Sequence, residues 1–84
     1  MNWIDVNKKL PEIIDGTDYS DYCLVVDGYN FYIARRYSEC YTSAENYHKG
    51  ITSTGWIDED FDWLPNVTYW YYLPIMPQKG NQNG

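Results

Sequence analysis

The sequence is poor in basic residues and has no long apolar run. Six Lys and Arg stand against twelve Asp and Glu, which gives a formal net charge of −6. Proteins hold nucleic-acid phosphates and anionic lipids mainly with Lys and Arg. This balance therefore argues against direct nucleic-acid binding and against binding to a membrane surface. No segment approaches the roughly 20 apolar residues of a membrane-spanning helix. We therefore expect a soluble protein.

Cysteine and histidine are equally scarce, since Cys23, Cys40 and His48 are the only ones. The cysteines lack a CxxC or other zinc-type spacing, and acid–base catalysis by His48 needs an oriented partner that no motif supplies. The first residues lack the basic start and apolar stretch of a signal peptide, so we expect a cytoplasmic location and two reduced thiols. These absences predict a non-enzymatic protein without a metal or cofactor.

Aromatic residues are abundant instead. Ten Tyr, four Trp and two Phe make up 19% of the 84 residues, which is room for one domain. We expect this domain to span residues 1–77, followed by a flexible tail, 78–84, that has no apolar anchor. So many rings cannot all be buried, and the exposed ones suit a binding surface or self-association into a homo-oligomer.

Runs of β-favouring residues predict a mainly β fold, with a small α+β fold as the variant. The predicted strands are 3–6, 22–26, 29–34, a segment that starts at 55–57, and 67–73. Pro11, Pro74 and Pro77 interrupt or end these runs. We expect a single antiparallel sheet of about four to five strands, with one short helix inserted between strands.

The dipeptide Asp27-Gly28 predicts a hairpin. A two-residue loop would pair Val26 with Tyr29, Leu24 with Phe31 and Tyr22 with Ile33, and would direct all six side chains to the core. A four-residue loop would preserve the same faces. The outer side would then carry Cys23, Val25, Asn30, Tyr32 and Ala34.

Helical spacing of rings and small residues follows in 38–49. Thr42 and Glu45 fit a capping box, and Gly50 stands where a helix end favours positive φ. The same rings also fit a strand, so both alternatives stay open for this stretch.

Motifs at both ends of the chain carry a family resemblance. The quoted residues are Trp3-Ile4-Asp5-Val6 with Leu10-Pro11-Glu12, the run Leu24-Val25-Val26 before the turn, and Val67-Thr68-Tyr69-Trp70 with Leu73-Pro74 and Pro77. This pattern resembles a family of short phage and prophage proteins of unknown function, which open with Trp-Ile-Ser-Val and close with Val-Thr-His-Trp. The resemblance implies an accessory protein that acts in a bacterial host cytoplasm. It supplies no catalytic residues.

A cluster of cations and rings in the middle of the chain predicts a ligand site. Arg pairs with phosphate through two hydrogen bonds and stacks on rings, so it can hold a nucleotide by phosphate and base. Adjacent strand residues point to opposite faces, so Arg35 or Arg36, but not both, would serve such a site. The candidate residues are Arg35, Arg36, Tyr37, Tyr47, His48, Lys49, Trp56 and Trp70. The function predicted first is counter-defence by stoichiometric binding of a small nucleotide-type ligand.

Four acidic residues close together predict the alternative function. Asp58, Glu59, Asp60 and Asp62 could imitate phosphates and occupy the basic groove of a host protein. They lack the glycine and distal Glu of an EF-hand loop, so no calcium site is expected. In this alternative the protein is an acidic protein–protein inhibitor.

Overall fold

A five-stranded antiparallel sheet forms the body of the protein in the computed structural model, which describes residues 2–73. The strands are β1 (Ile4–Asp5), β2 (Cys23–Val26), β3 (Phe31–Cys40), β4 (Ser53–Asp58) and β5 (Tyr69–Tyr72), and a helix, α1 (Ala44–Lys49), separates β3 from β4. Their order across the sheet is β1-β5-β2-β3-β4. The predicted mainly β fold with one inserted helix is confirmed. The predicted tail, 78–84, lies outside the described residues.

The β2–β3 hairpin has a loop of four residues, 27–30, rather than two. Val26 pairs with Phe31 and Leu24 pairs with Ile33. The two-residue register was therefore wrong, and the four-residue alternative, which keeps the same side chains on the same faces, is the one observed.

The carboxylate of Asp27 determines the length of this loop. Its Oδ1 accepts hydrogen bonds from the backbone N–H groups of Tyr29 and Asn30, each at 2.9 Å. Gly28 has a φ of 99°, a conformation that side chains rarely adopt. The bonds from Asn30 and Tyr29 lower the pKa of the Asp27 carboxyl below its usual value of 3.8.

The hydrophobic core lies on the face of the sheet that the hairpin pattern assigned to solvent. We call it the inner face and define it by its buried residues, Cys23, Val25, Ala34, Trp56 and Trp70. The predicted inward set is half-buried or exposed instead: Tyr22, Leu24, Val26, Tyr29, Phe31 and Ile33. The predicted inward face was therefore wrong.

The flanking strands explain this reversal. Trp70 of β5 pairs with Val25, and Trp56 of β4 pairs with Arg36, so both indoles lie on the inner face. An indole buries more apolar surface than a Leu or Val side chain, and burying two of them outweighs the pattern of a single hairpin.

Two irregular segments cover the inner face. Their apolar side chains that pack on the core are Val6, Leu10, Leu64 and Val67. The indole Nε1 of Trp70 donates to the carbonyl of Lys9 at 2.8 Å, and Nη1 of Arg36 donates to the carbonyl of Pro11 at 3.1 Å. These two hydrogen bonds hold segment 6–12 over the sheet.

Helix α1 lies within the predicted range but buries none of its residues. The Ser43 hydroxyl caps it by accepting the Asn46 N–H at 3.1 Å, and Gly50 ends it with a φ of 69°. The predicted cap, Thr42, was wrong by one position; its hydroxyl accepts from the side-chain amide of Asn46 at 3.1 Å. The strand alternative holds for the start of the range, because β3 continues to Cys40 through its pairing with β4.

Candidate functional site

The side of the sheet opposite the core exposes apolar and aromatic side chains. We call it the outer face and define it by the pairing register as Trp3, Asp5, Leu24, Val26, Phe31, Ile33, Arg35, Ile57, Tyr69 and Tyr71. Phe31 is 68% exposed, Tyr69 42% and Ile33 37%. The Trp3 and Phe31 ring centroids are 6.0 Å apart. No other part of residues 2–73 covers these exposed rings.

Arg35 lies at one end of the outer face between two tyrosine rings. Its guanidinium carbon is 4.2 Å from the centre of the Tyr19 ring and 4.0 Å from that of Tyr22. The Tyr37 ring packs against Tyr19 with 5.6 Å between centroids. We call these four residues the Arg35 cluster. Each cation–π contact stabilises the cluster by about 0.5–2 kcal/mol and fixes the orientation of the guanidinium.

The guanidinium of Arg35 has no acidic partner in the described structure. All twelve Asp and Glu residues lie within residues 2–73, yet none forms an ion pair with Arg35. Its Nε is enclosed without a hydrogen-bond partner. Such an orphaned donor is uncommon and costs about 1–3 kcal/mol. The cluster therefore contains a cationic group that two rings hold in place and that no described carboxylate pairs with.

Arg36, the adjacent candidate, has a structural role. Its Nε donates to the hydroxyl of Thr54 at 3.0 Å, and its Nη1 donates to the carbonyl of Pro11. The side chain lies on the inner side of the sheet, as the alternation along a strand requires. Only Arg35 of this pair is available to a ligand on the outer face, which agrees with the predicted use of one arginine.

The remaining predicted ligand residues do not form one site. Tyr37 joins Arg35, whereas Trp56 and Trp70 are buried on the inner face. Trp70 is fully buried and bonded to Lys9, so it cannot stack on a ligand. The prediction that these indoles contribute to the ligand surface was wrong, because both are needed for the core.

Tyr47, His48 and Lys49 lie on helix α1 and are exposed. Tyr47 packs edge-to-face on Tyr41, with 5.1 Å between centroids, and contacts His48 at 5.7 Å. The ammonium of Lys49 pairs with Glu45 at 2.9 Å. This ordinary i,i+4 pair on a helix surface does not reach the Arg35 cluster.

The predicted acidic group forms a turn after β4. Oδ1 of Asp58 accepts the backbone N–H groups of Asp60 and Asp62 at 2.8 and 2.9 Å, so Asp58 organises the loop. Glu59, Asp60 and Asp62 are exposed beside Phe61, which has a φ of 64° and is 80% exposed. Within residues 2–73, no three His, Cys, Asp or Glu side chains are arranged to hold a metal ion.

Four shallow cavities on the described surface have volumes of about 280, 250, 430 and 210 Å³. None of these four is lined by Lys, Arg or His. A phosphate-bearing ligand seated in any of them would meet no cation. Of the Arg35 cluster, only Tyr22 lines one of these cavities.

The two cysteines are free thiols. Burial on the inner face raises the pKa of Cys23 to about 11, and burial also raises the pKa of Cys40. A thiolate nucleophile needs a lowered pKa, so neither thiol is activated for catalysis.

The sequence predictions missed Tyr19, Tyr22, Phe31 and Ile33 as surface residues that could bind a partner. One signal for Tyr22 was available, because the four-residue loop places Tyr22 directly opposite Arg35. The exposure of Phe31 and Ile33 had no such signal, because it depends on the indoles of β4 and β5.

Comparisons with protein-family models, with curated proteins and with solved structures gave no match for this chain. The described residues form no helix that is long and apolar enough to span a membrane.

Proposed function

We propose that this protein is a non-catalytic, stoichiometric binding protein that docks a partner protein through its outer face. The observation that carries this proposal is the 68% exposure of Phe31 on a face with almost no charge, in a chain of net charge −6. A sheet with one apolar face normally buries it against a second layer. In this protein, the partner supplies the layer that covers the outer face.

The residue types of the outer face support a protein partner. Trp, Tyr and Arg dominate the binding energy of protein interfaces, and the outer face contributes Trp3, Tyr69, Tyr71 and Arg35. A small nucleotide-type ligand stays a prediction, but its proposed residues are dispersed over the inner face, the outer face and helix α1.

The partner that we propose is a different protein rather than a second copy. Arg35 needs an anionic group to pair with, and the outer face of a second copy could offer only the carboxylate of Asp5. Oδ1 of Asp5 already accepts the backbone N–H of Asn7 at 2.8 Å. Two copies stacked face to face would therefore bring two cations together with few free acids between them.

The resemblance to short phage and prophage proteins supports a bacterial cytoplasm as the place where this binding occurs. There the protein occludes a host protein that takes part in host defence. The acidic turn at 58–62 stays a separate prediction for the contact surface.

Site-specific photo-crosslinking tests the proposal. We expect a photoreactive phenylalanine at position 31 to crosslink one bacterial protein, whereas the same group at Tyr47, which is 60% exposed on helix α1, does not. The identified partner is then purified and titrated by calorimetry. Phe31→Ser should weaken a one-to-one complex by roughly 30-fold or more, as for interface hot spots. Tyr47→Ser, the matched loss of an exposed ring on helix α1, should not weaken it.

Three outcomes would contradict the proposal. Crosslinking only from position 47 would move the binding surface away from the outer face. A crosslinked product of two copies, with a dimer in light scattering, would make the second copy the occupant. Unchanged affinity of Phe31→Ser for the purified partner would exclude Phe31 from the interface.

A further inference from the structure

We propose that Arg35 is the anion-recognising anchor of the outer face and that it receives a carboxylate from an Asp or Glu side chain of the partner. This inference rests on the proposed function and adds the chemistry of the contact. It begins with the two rings of the Arg35 cluster. Because Tyr19 and Tyr22 cover the guanidinium at 4.2 and 4.0 Å, only its edge remains open for hydrogen bonds.

The edge of a guanidinium matches a carboxylate. Parallel N–H groups donate to the two carboxylate oxygens in a planar, bidentate arrangement, and both groups are charged. A guanidinium that the rings already hold in one orientation loses little conformational freedom on binding. The Arg35 cluster is thus organised for a carboxylate before the partner arrives.

Within residues 2–73, Arg35 forms no ion pair. None of the protein's twelve carboxylates pairs with Arg35, whereas Lys49 is paired with Glu45. Nε of Arg35 is buried without a hydrogen-bond partner, so a carboxylate would bind at the Nη1–Nη2 edge of the guanidinium and not at Nε. An incoming carboxylate would supply the missing negative charge at a place that the docked partner shields from water.

The number of cations favours a carboxylate over a phosphate. Arg36 is engaged by Thr54 and Pro11, and Lys49 is engaged by Glu45 on helix α1. Among the four residues of the Arg35 cluster, Arg35 is the only basic one. One guanidinium neutralises a carboxylate, but it leaves a phosphate dianion only half neutralised on an apolar surface, which is unfavourable.

The test observes the arginine Nε–H signals by NMR while the intact protein is titrated with acetate, inorganic phosphate and adenosine monophosphate in separate arms. We expect the Arg35 Nε–H signal to shift and saturate with acetate at a lower concentration than with phosphate. Arg36 in the same spectrum is the internal control, and its Nε–H signal should not respond, because that group already donates to Thr54. Tighter binding of phosphate or of the nucleotide would overturn the carboxylate and favour a nucleotide-type ligand.

The partner found by crosslinking provides the second measurement. Arg35→Gln should weaken the purified complex by roughly 10- to 100-fold, the usual range for a hydrogen-bonded ion pair. The charge-matched control, Lys49→Gln, should leave the affinity unchanged. If Phe31→Ser weakens the complex but Arg35→Gln does not, the proposed role of Arg35 is wrong, whereas docking through the outer face is still supported. If neither does, both proposals fail.

Discussion

The inner and outer faces of the sheet are built from alternate residues of the same strands, yet only one of them is a core. In β2, Cys23 and Val25 are buried, whereas Leu24 and Val26 are half-buried. The outer face therefore has the larger aliphatic side chains in this strand. Apolar side chains are necessary for a core but did not decide which face became one.

What distinguishes the two faces is what covers them. Segment 6–12 is held over the inner face by the hydrogen bond from Trp70 to Lys9, and Leu64 also packs there. Within residues 2–73, no comparable segment crosses the outer face. The difference shows that a small sheet obtains a core only where the loops of the chain can reach it.

The largest effect is expected from Trp70. Replacing this fully buried indole with Ala removes the centre of the inner face and should lower the free energy of unfolding by about 3–5 kcal/mol. This is a large share of the stability of a small domain. Trp70→Phe keeps a ring but loses the bond to Lys9, so its cost should be smaller. Urea unfolding followed by circular dichroism measures both.

The control for Trp70 is its neighbour on the outer face, Tyr69. Tyr69→Ala should change the free energy of unfolding by about 1 kcal/mol or less. Equal losses for Trp70→Ala and Tyr69→Ala would mean that the two faces are equally buried in solution, which would contradict the comparison.

A smaller effect separates two adjacent valines. Val25→Ala deletes two methyl groups from a fully buried site and should cost about 2 kcal/mol, whereas Val26→Ala should cost less than about 1 kcal/mol. Both variants replace Val with Ala in the same strand, so the difference between their free energies of unfolding depends on which face of the sheet the side chain lies on. Thermal unfolding of the two variants measures it.

The smallest effect concerns the thiols. At pH 8, Cys23 should react with a thiol reagent more slowly than Cys40, because Cys23 is buried and its pKa is about 11.

The folded-state pKa of Cys23 lies above the usual value of 9.0, so the contribution of this thiol to stability is present below pH 9 and is lost as the pH rises towards 11. Cys23→Ala should show a shallower loss over this interval. Faster labelling of Cys23 would show that the inner face opens.

Local signals in the sequence predicted most of the elements. The turn at Asp27, the extended runs and the helix end at Gly50 each depend on residues close in sequence, and the structure contains all three. The length of β3 was underestimated. Its continuation to Cys40 depends on pairing with β4, a strand that follows only after the helix.

The candidate site was harder to predict than the fold. Strand alternation correctly predicted that Arg35 and Arg36 point to opposite faces of the sheet, whereas the use of one of them by a ligand stays a prediction. The tyrosine partners of Arg35 depend on register, since a shift of two residues in the hairpin changes which ring lies opposite it. Trp56 and Trp70 were assigned to a ligand because a buried indole and an exposed indole look alike in a sequence.

The sequence by itself determined the fold class, the turn positions and the acidic charge, because those properties arise from local backbone preferences and from composition. Only the tertiary structure decided which face of the sheet is the core. Both faces are apolar, and the choice depends on where distant strands place Trp56 and Trp70 and where the covering segments reach. That choice also turned Phe31, Ile33 and Arg35 into surface residues, and it thereby created the candidate binding face.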